Sequence, residues 1–194
     1  MRTGPLLEEL RAHDAESARH SERVAAYALV LGAAVGGIPL HRLRSAALLH
    51  DLGKSGVPAG VLTKPNRLDP AEREAVERHP EIGEALLRAH TADALVLGAV
   101  RSHHERWDGA GYPDGLRGEE IPLAARVLAV ADTLDAMGAA RPYRPGLAWE
   151  AIEAEILRCR GTQFDPAVVV AFLSRREVLR ALMRSGGAED AEAA

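Results

Sequence analysis

An all-α fold is what this sequence predicts, and three observations carry the expectation. Aromatic residues make up only 4% of the 194, so the core has to be assembled from Leu, Val, Ile and Ala, which suits packed helices better than aromatic-rich sheets. Apolar residues recur at three- and four-residue steps instead of alternating. Proline and glycine punctuate those runs where helices would begin and end. A hydrophobic share of 47% against 27% charged residues belongs to a folded globular chain, and the length suits one domain.

The elements follow in order. Asp14 to Val35 reads as one long helix, with Val24, Leu31 and Val35 on a shared face. Within it begins an uncharged run, Val24 to Leu40, of 17 residues. That is short of the roughly 20 apolar residues a membrane span needs. It also holds three glycines, a proline and five alanines, so it reads as a buried core helix followed by a turn at Gly36-Gly37. Pro39 opens a second helix that runs to about Leu52 and stops at Gly53. Ser55 to Arg67 is a loop, Asp69-Pro70 starts a third helix and Pro80 a fourth, and Ala92 to Trp107 forms a fifth. The stretch DGAGYPDGLRGEEIP (108–122) is too broken by glycine and proline for regular structure. Helices resume over Leu123 to Met137, Trp149 to Cys159, Asp165-Pro166 to Leu173 and Arg175 to Met183, and SGGAEDAEAA reads as a frayed tail.

A net charge of -4 gives no basic face, so neither DNA nor RNA is an expected partner. A chain of this charge acting on a polyanion would need positive charge from bound metal. Cys159 is the only cysteine, which rules out an internal disulfide and fits a reducing cytoplasm. The first residues, MRTGPLLEELRAHD, are charged throughout and lack the apolar stretch of a signal peptide. A cytoplasmic protein without a membrane segment is expected.

Eight histidines carry the chemistry, and their neighbours matter more than their number. His50-Asp51 ends an apolar helix, where a bare imidazole and carboxylate are costly to bury without strong partners. A metal would satisfy both; the alternative is a plain helix C-terminus carrying a favourable histidine. His103-His104 repeats the arrangement before Glu105-Arg106-Trp107 and the glycine-rich stretch. Asp132 sits in the apolar run ARVLAVADTLDAM, as a metal ligand or as a hydrogen-bond acceptor for a neighbouring helix, and Asp135 lies three residues on, near the same face. Glu16 and His20, four apart, could share a metal or form a surface pair. His79 precedes Pro80 at a helix junction, while His13, His41 and His90 lack acidic company and read as surface residues.

In chain order these give a histidine, a His-Asp pair, a histidine, a His-His pair and an aspartate. The matching segments are HSERV (20–24), AALLHDLGKSGVP (46–58), KPNRLDPAE (64–72), HPEIG (79–83), HHERWDGAGYPDGLRGEEIPLAARVLAVADTLDA (103–136), RPYR (141–144) and GTQFDP (161–166). The set resembles the HD-GYP family, a branch of the HD phosphohydrolase superfamily, over about Glu16 to Leu173. The resemblance implies a single-domain HD-type helical bundle with a glycine-rich GYP loop. It divides the chain into an N-terminal extension (1–15), the HD-GYP domain (16–184) and a tail expected to be disordered (185–194).

It further implies that His20, His50, Asp51, His79, His103, His104 and Asp132 ligate metal, with Asp51 bridging two ions and acting in catalysis. Glu16 matches the glutamate of members able to hold three metals instead of two. Two or three divalent transition metals are therefore expected, iron or manganese first, with zinc and nickel compatible with the same ligand types. Lys54 matches a lysine that contacts a substrate phosphate, and it is expected to serve both binding and catalysis. Arg141, Tyr143 and Arg144 match a segment suited to phosphate or guanine, and otherwise read as a solvated turn. Asp135 is expected to orient a ligand. Tyr112, within Gly111-Tyr112-Pro113, is assigned no catalytic role. The implied activity is hydrolysis of cyclic di-GMP to linear pGpG, and onward to GMP. The alternatives are another cyclic dinucleotide as substrate and a non-catalytic module that binds such a nucleotide or a cyclase. The resemblance also makes a diguanylate cyclase domain an expected partner of the GYP loop, and a homodimer is compatible with it. Ala139 and Ala140 depart from the polar residues usual before RPYR, which touches substrate affinity and leaves the metal set intact.

Overall fold

The apolar face predicted for the first long helix is the one that becomes buried. In the computed structural model, which describes residues 15–64, 66–139 and 146–192, helix α1 spans Ala15–Val35 and buries Val24, Ala25, Ala28 and Leu31 completely or nearly so. Gly36 and Gly37 then take positive φ angles of 77° and 75°. That conformation is open to glycine at little cost, and it ends α1 where the sequence reading places a turn.

Helix α2 (Leu40–Leu49) packs back on α1, burying Leu43, Ala46, Ala47, Leu48 and Leu49. It stops three residues before the expected Leu52. The chain instead tightens into a 3-10 turn over Leu52–Gly56, leaving His50 at the helix end and Asp51 at the entry to the turn. A one-turn helix, α3 (Ala59–Leu62), lies inside the expected loop.

Helix α4 (Pro70–Glu77) has the start predicted for it. Asp69 accepts the Glu72 N–H at 2.9 Å, the Glu72 carboxylate accepts the Asp69 N–H at 2.9 Å, and Pro70 opens the first turn. Helix α5 (His79–Arg88) follows and packs on the 3-10 turn. Helix α6 (Ala94–Ser102) is shorter at both ends than the expected Ala92–Trp107. Asp93 caps its N-terminus by accepting from Leu95 and Val96, and at the other end Glu105 donates to the Ser102 carbonyl and turns the chain.

Residues 108–117 are irregular as expected, and a 3-10 turn follows at Gly118–Glu120. Helix α7 (Leu123–Gly138) is central and apolar on most faces, with Val127, Leu128, Val130, Ala131 and Leu134 fully buried; it packs on α1, on α6 and on the last described helix. Helix α8 (Trp149–Arg158) and helix α9 (Pro166–Glu192) complete the described chain. The two short helices expected over 166–183 are one. No glycine or proline separates Leu173 from Arg175, and the Ser174 hydroxyl donates back to the Ala171 carbonyl at 2.7 Å, inside the helix. The backbone of 185–192, read from the sequence as tail, continues α9.

Among the described residues the only β-type pairing is an isolated bridge between Arg160 and Phe164, so the all-α expectation holds. None of the described helices is long and apolar enough to cross a membrane.

Candidate metal centre

The chemistry-bearing side chains lie at helix ends and on one face of the central helix. His50 and Asp51 stand where α2 stops, His79 is the first residue of α5, and His103 and His104 follow the end of α6. α1 supplies His20, and α7 supplies Asp132 and Asp135. Five imidazoles and two carboxylates thus meet, and they fall into two groups whose donor atoms lie within 4.8 Å of one another: Asp51, His79, His103 and His104, and His20, His50 and Asp132.

Asp51 joins the groups. Its Oδ1 faces His79 Nε2 at 3.4 Å and His103 Nε2 at 3.9 Å; its Oδ2 faces His50 Nε2 at 3.5 Å and His20 Nε2 at 3.6 Å. Asp132 Oδ1 lies 3.2 Å from His20 Nε2 and 3.9 Å from His50 Nε2. Lys54 donates to Asp51 Oδ2 at 2.5 Å.

The rings are held from behind. Nδ1 of His50, His79 and His103 lies 2.7–2.8 Å from the carbonyl three residues earlier, that of Ala47, Val76 and Val100 respectively. A carbonyl only accepts, so Nδ1 carries the proton and Nε2 the lone pair, which is how proteins orient metal-binding imidazoles. His20 Nδ1 pairs instead with Asp135 Oδ2 at 2.7 Å, and Arg23 grips the same carboxylate through Nε at 2.8 Å and Nη2 at 3.1 Å. Asp135 thus fixes the His20 ring from the side away from Asp132, with Arg23 holding the carboxylate.

Do these residues fit a metal? Two observations say that they do. His50 Nε2 is buried with no hydrogen-bond partner. The Nε2 atoms of His79 and His103 face each other at 3.2 Å, and with both Nδ1 protons committed to carbonyls the pair presents two lone pairs that a shared cation would satisfy. Neutral imidazoles plus carboxylates form the donor set of borderline transition metals.

The electrostatics agree. Burial lowers the pKa of His79 and His103 and takes His104 to about 4, which keeps these rings neutral with lone pairs available. Burial also works against protonation of His20, but its hydrogen bonds to Asp132 and Asp135 and the charges of Asp132 and Asp51 outweigh it and take that ring to about 10. Burial would raise the Asp51 carboxyl, yet Lys54 and the surrounding imidazoles hold it well below the usual carboxylate range. The pocket thus favours positive charge on the Asp132 side and neutral nitrogen donors on the His103 side.

Of the other expected site residues, Glu16 does not join the group. Its side chain is 56% exposed and bonds Arg19 at 2.6 Å and Arg23 at 3.2 Å. Arg141, Tyr143 and Arg144 lie outside the described residues, as does Ala140; Ala139 caps the end of α7. His41 and His90 are exposed, as expected of surface residues, and His13 lies outside the described residues.

Two residues that sequence reasoning left out matter here. Arg23 is one; its spacing of three from His20 on a helix was the available signal. Glu105 is the other: buried behind His104, it accepts the Asp114 N–H at 2.7 Å and the Leu116 N–H at 3.1 Å, which fastens the GYP loop to the end of α6.

Comparison with known proteins agrees with this geometry. The HD domain family model matches residues 6–168. The cyclic di-GMP phosphodiesterase response regulator RpfG of Xanthomonas campestris pv. campestris is 46% identical over 139 residues, which are 71% of this chain and 37% of that protein. A cyclic di-GMP phosphodiesterase of Thermotoga maritima is 39% identical over 189 residues, 95% of this chain and 51% of that protein. Other relatives, in Vibrio cholerae, bear the name 3'3'-cGAMP-specific phosphodiesterase at 33–39% identity. The chain therefore spans about half or less of the length of the curated relatives it matches. Among solved structures, Bd1817, an HDG"Y"P protein from Bdellovibrio bacteriovorus, superposes with a TM-score of 0.66 at 19% identity, over 83% of this chain and 52% of that one, which supports the fold. With the matched model, the two-group cluster and the GYP loop in place, the chain belongs to the HD domain family, in its HD-GYP branch.

Proposed function

We propose that this chain hydrolyses a phosphodiester bond of cyclic di-GMP, giving linear pGpG and then GMP, at a centre of divalent transition metals. The observation that carries the reading is the gathering of five imidazoles and Asp132 around Asp51, whose two oxygens face different groups. The match to relatives named for that substrate supports it.

Ions held there supply Lewis acidity, activating water and neutralising phosphate charge. One ion would be held by Asp51, His79, His103 and His104, and the other by His20, His50 and Asp132, with Asp51 shared. Iron or manganese is the proposed metal. A third ion on Glu16 requires that carboxylate to leave Arg19 and Arg23, so two ions is the reading the geometry favours.

The chain's own groups do the rest. Lys54, on a flexible stem and already beside Asp51, can turn its ammonium to a non-bridging phosphate oxygen. Asp135 and Arg23 keep the His20 ring aimed at the centre. Arg141, Tyr143 and Arg144 are proposed to grip phosphate or guanine. A cytoplasmic setting, contact of the GYP loop with a diguanylate cyclase domain, and a homodimer complete the proposal.

The test is anaerobic purification with elemental analysis, followed by a panel of cyclic dinucleotides read by chromatography. Bound metal with turnover of cyclic di-GMP is expected. Metal with turnover of 3'3'-cGAMP alone would reassign the substrate, and neither metal nor turnover would point to a binding module.

A further inference from the structure

Four of the five clustered imidazoles have Nδ1 fixed by an oxygen: three by a backbone carbonyl and one by Asp135. His104 is the exception. Among the described residues no hydrogen bond reaches its ring. What holds it is a stack of rings. Tyr112 lies against it with centroids 5.0 Å apart and planes inclined by 30°, His103 lies 4.1 Å away on the near side, and His79 meets it edge-on at 4.9 Å. A neutral imidazole that must point a lone pair at a metal needs some orienting partner. Here only the tyrosine face comes from outside the ligand set.

The loop that carries the tyrosine is built to bring it there. Gly111 lies so close to the end of α6 that a Cβ would fall 2.4 Å from the Arg106 nitrogen and 2.6 Å from both the Glu105 Cα and the His104 oxygen. Tyr112 donates its backbone N–H to that same His104 oxygen at 3.3 Å. Beyond it, Asp114 and Leu116 donate to Glu105, and Asp114 is paired with Arg101 at 2.7 Å. Residues on both sides of Tyr112 are thus tied to the helix end that bears His104. Burial, with the charges of Glu77, Asp51 and Asp132, pushes the phenol up, so the ring stays neutral against the imidazole.

We infer that Tyr112 is a positioning residue for His104, its aromatic face replacing the hydrogen bond that orients each other imidazole, so that the GYP loop belongs to the metal centre and is more than a docking surface. The inference rests on reading the cluster as a metal centre. Its test therefore uses cobalt(II) as the probe, added without oxygen to chelator-stripped full chain. Affinity is read by chelator competition and geometry by the visible absorption of the bound ion.

Tyr112→Phe keeps the face and loses the hydroxyl; its affinity is expected within about twofold of wild type, with the same spectrum. Tyr112→Met fills the space without a ring, and it is expected to weaken binding by about 10- to 100-fold with altered bands, the range seen when an orienting partner is lost. Wild-type spectrum and affinity in Tyr112→Met would overturn the positioning role alone, whereas failure of the wild-type chain to take up cobalt would overturn the metal reading beneath it. A second measurement covers a Tyr112→Met chain that does not fold. With 3-fluorotyrosine at the three tyrosines, the resonance missing in Tyr112→Phe is expected to shift on cobalt loading, and an unmoved resonance would overturn the inference.

Discussion

Substituting Gly53 by alanine tests how closely the metal centre depends on helix packing. Gly53 follows Asp51 by two residues, and its backbone is pressed on the start of α5. A Cβ there would lie 2.0 Å from the His79 carbonyl oxygen, 2.4 Å from the Gly83 nitrogen and 3.0 Å from the Gly83 Cα. Every obstacle is backbone, so no side chain can rotate aside. Restoring ordinary contact, which begins at 3.4 Å, requires the 3-10 turn and α5 to part by about 1.4 Å at the His79 oxygen, against an overpacking cost of about 1–3 kcal/mol for sites that can partly relax. This site cannot, so about 3 kcal/mol is expected. For a chain of this size that lowers the melting temperature by about 6–12 °C. The parting also separates Asp51 Oδ1 from His79 Nε2, now 3.4 Å apart, so bound metal per chain falls with stability. Calorimetry of the chelated protein and elemental analysis of the loaded protein read the two effects. Gly60→Ala is the control: nothing lies within 4 Å of its added Cβ, it sits in a helix, and it is expected to be neutral or slightly stabilising. A Gly53→Ala chain that melts within 2 °C of wild type, by this estimate, and keeps its metal would refute the reasoning.

Further outcomes are expected. Asp51→Ala removes the carboxylate shared by both groups, so metal content and turnover are both lost; an active, metal-replete variant would break the assigned role. Arg23→Met unclamps Asp135 and should weaken metal binding by about 10- to 100-fold, measured by chelator competition, with Arg23→Lys recovering part of it. Ser21→Ala removes a fully buried hydroxyl that has no hydrogen-bond partner, and urea unfolding should show no loss, or a gain of up to about 1 kcal/mol. Arg106 holds the Asp108 carboxyl below its ordinary 3.8, and Arg101 does the same for Asp114. Their contribution is complete above pH 3.8 and lost as pH falls through the lowered values. The double variant Asp108→Asn, Asp114→Asn should thus be modestly less stable than wild type at neutral pH, since both pairs are partly exposed, and converge with it in acid, giving a flatter acid limb of the stability profile in urea unfolding.

How legible was all this in the sequence? The gathering of His50-Asp51 and His103-His104 was, because such pairs end apolar runs, where an unpartnered polar group is hard to explain; His20, His79 and Asp132 stand singly and were legible only through the family resemblance. Asp135 was also legible, from its spacing to Asp132. Arg23 and Glu105 were not, since a lone arginine on a helix and a glutamate after two histidines look like solvated surface until the fold shows what they face. Element boundaries failed for a related reason. Apolar periodicity runs on past Leu49 and past Ser102, but the chain turns where His50 and His103 take up carbonyls of their own last turns and where non-local bonds take over. Trp107 and Asp108, for instance, donate to Gln163 and Thr162, far along the chain.

The tether from His50, His79 and His103 to the carbonyl three positions back has a consequence for how such a protein can change over time. Each of these rings is aimed by a four-residue fragment that carries its own alignment, independent of which neighbour packs on it. A mutation that nudges a helix therefore carries the ring along with its turn and leaves its heading unchanged. The hydrophobic interior is free to drift through many substitutions while the donors stay trained on one point. His20, aimed by Asp135 from another helix, and His104, which rests on the face of Tyr112, lack such a fragment, and at those partners the sequence has less room to vary.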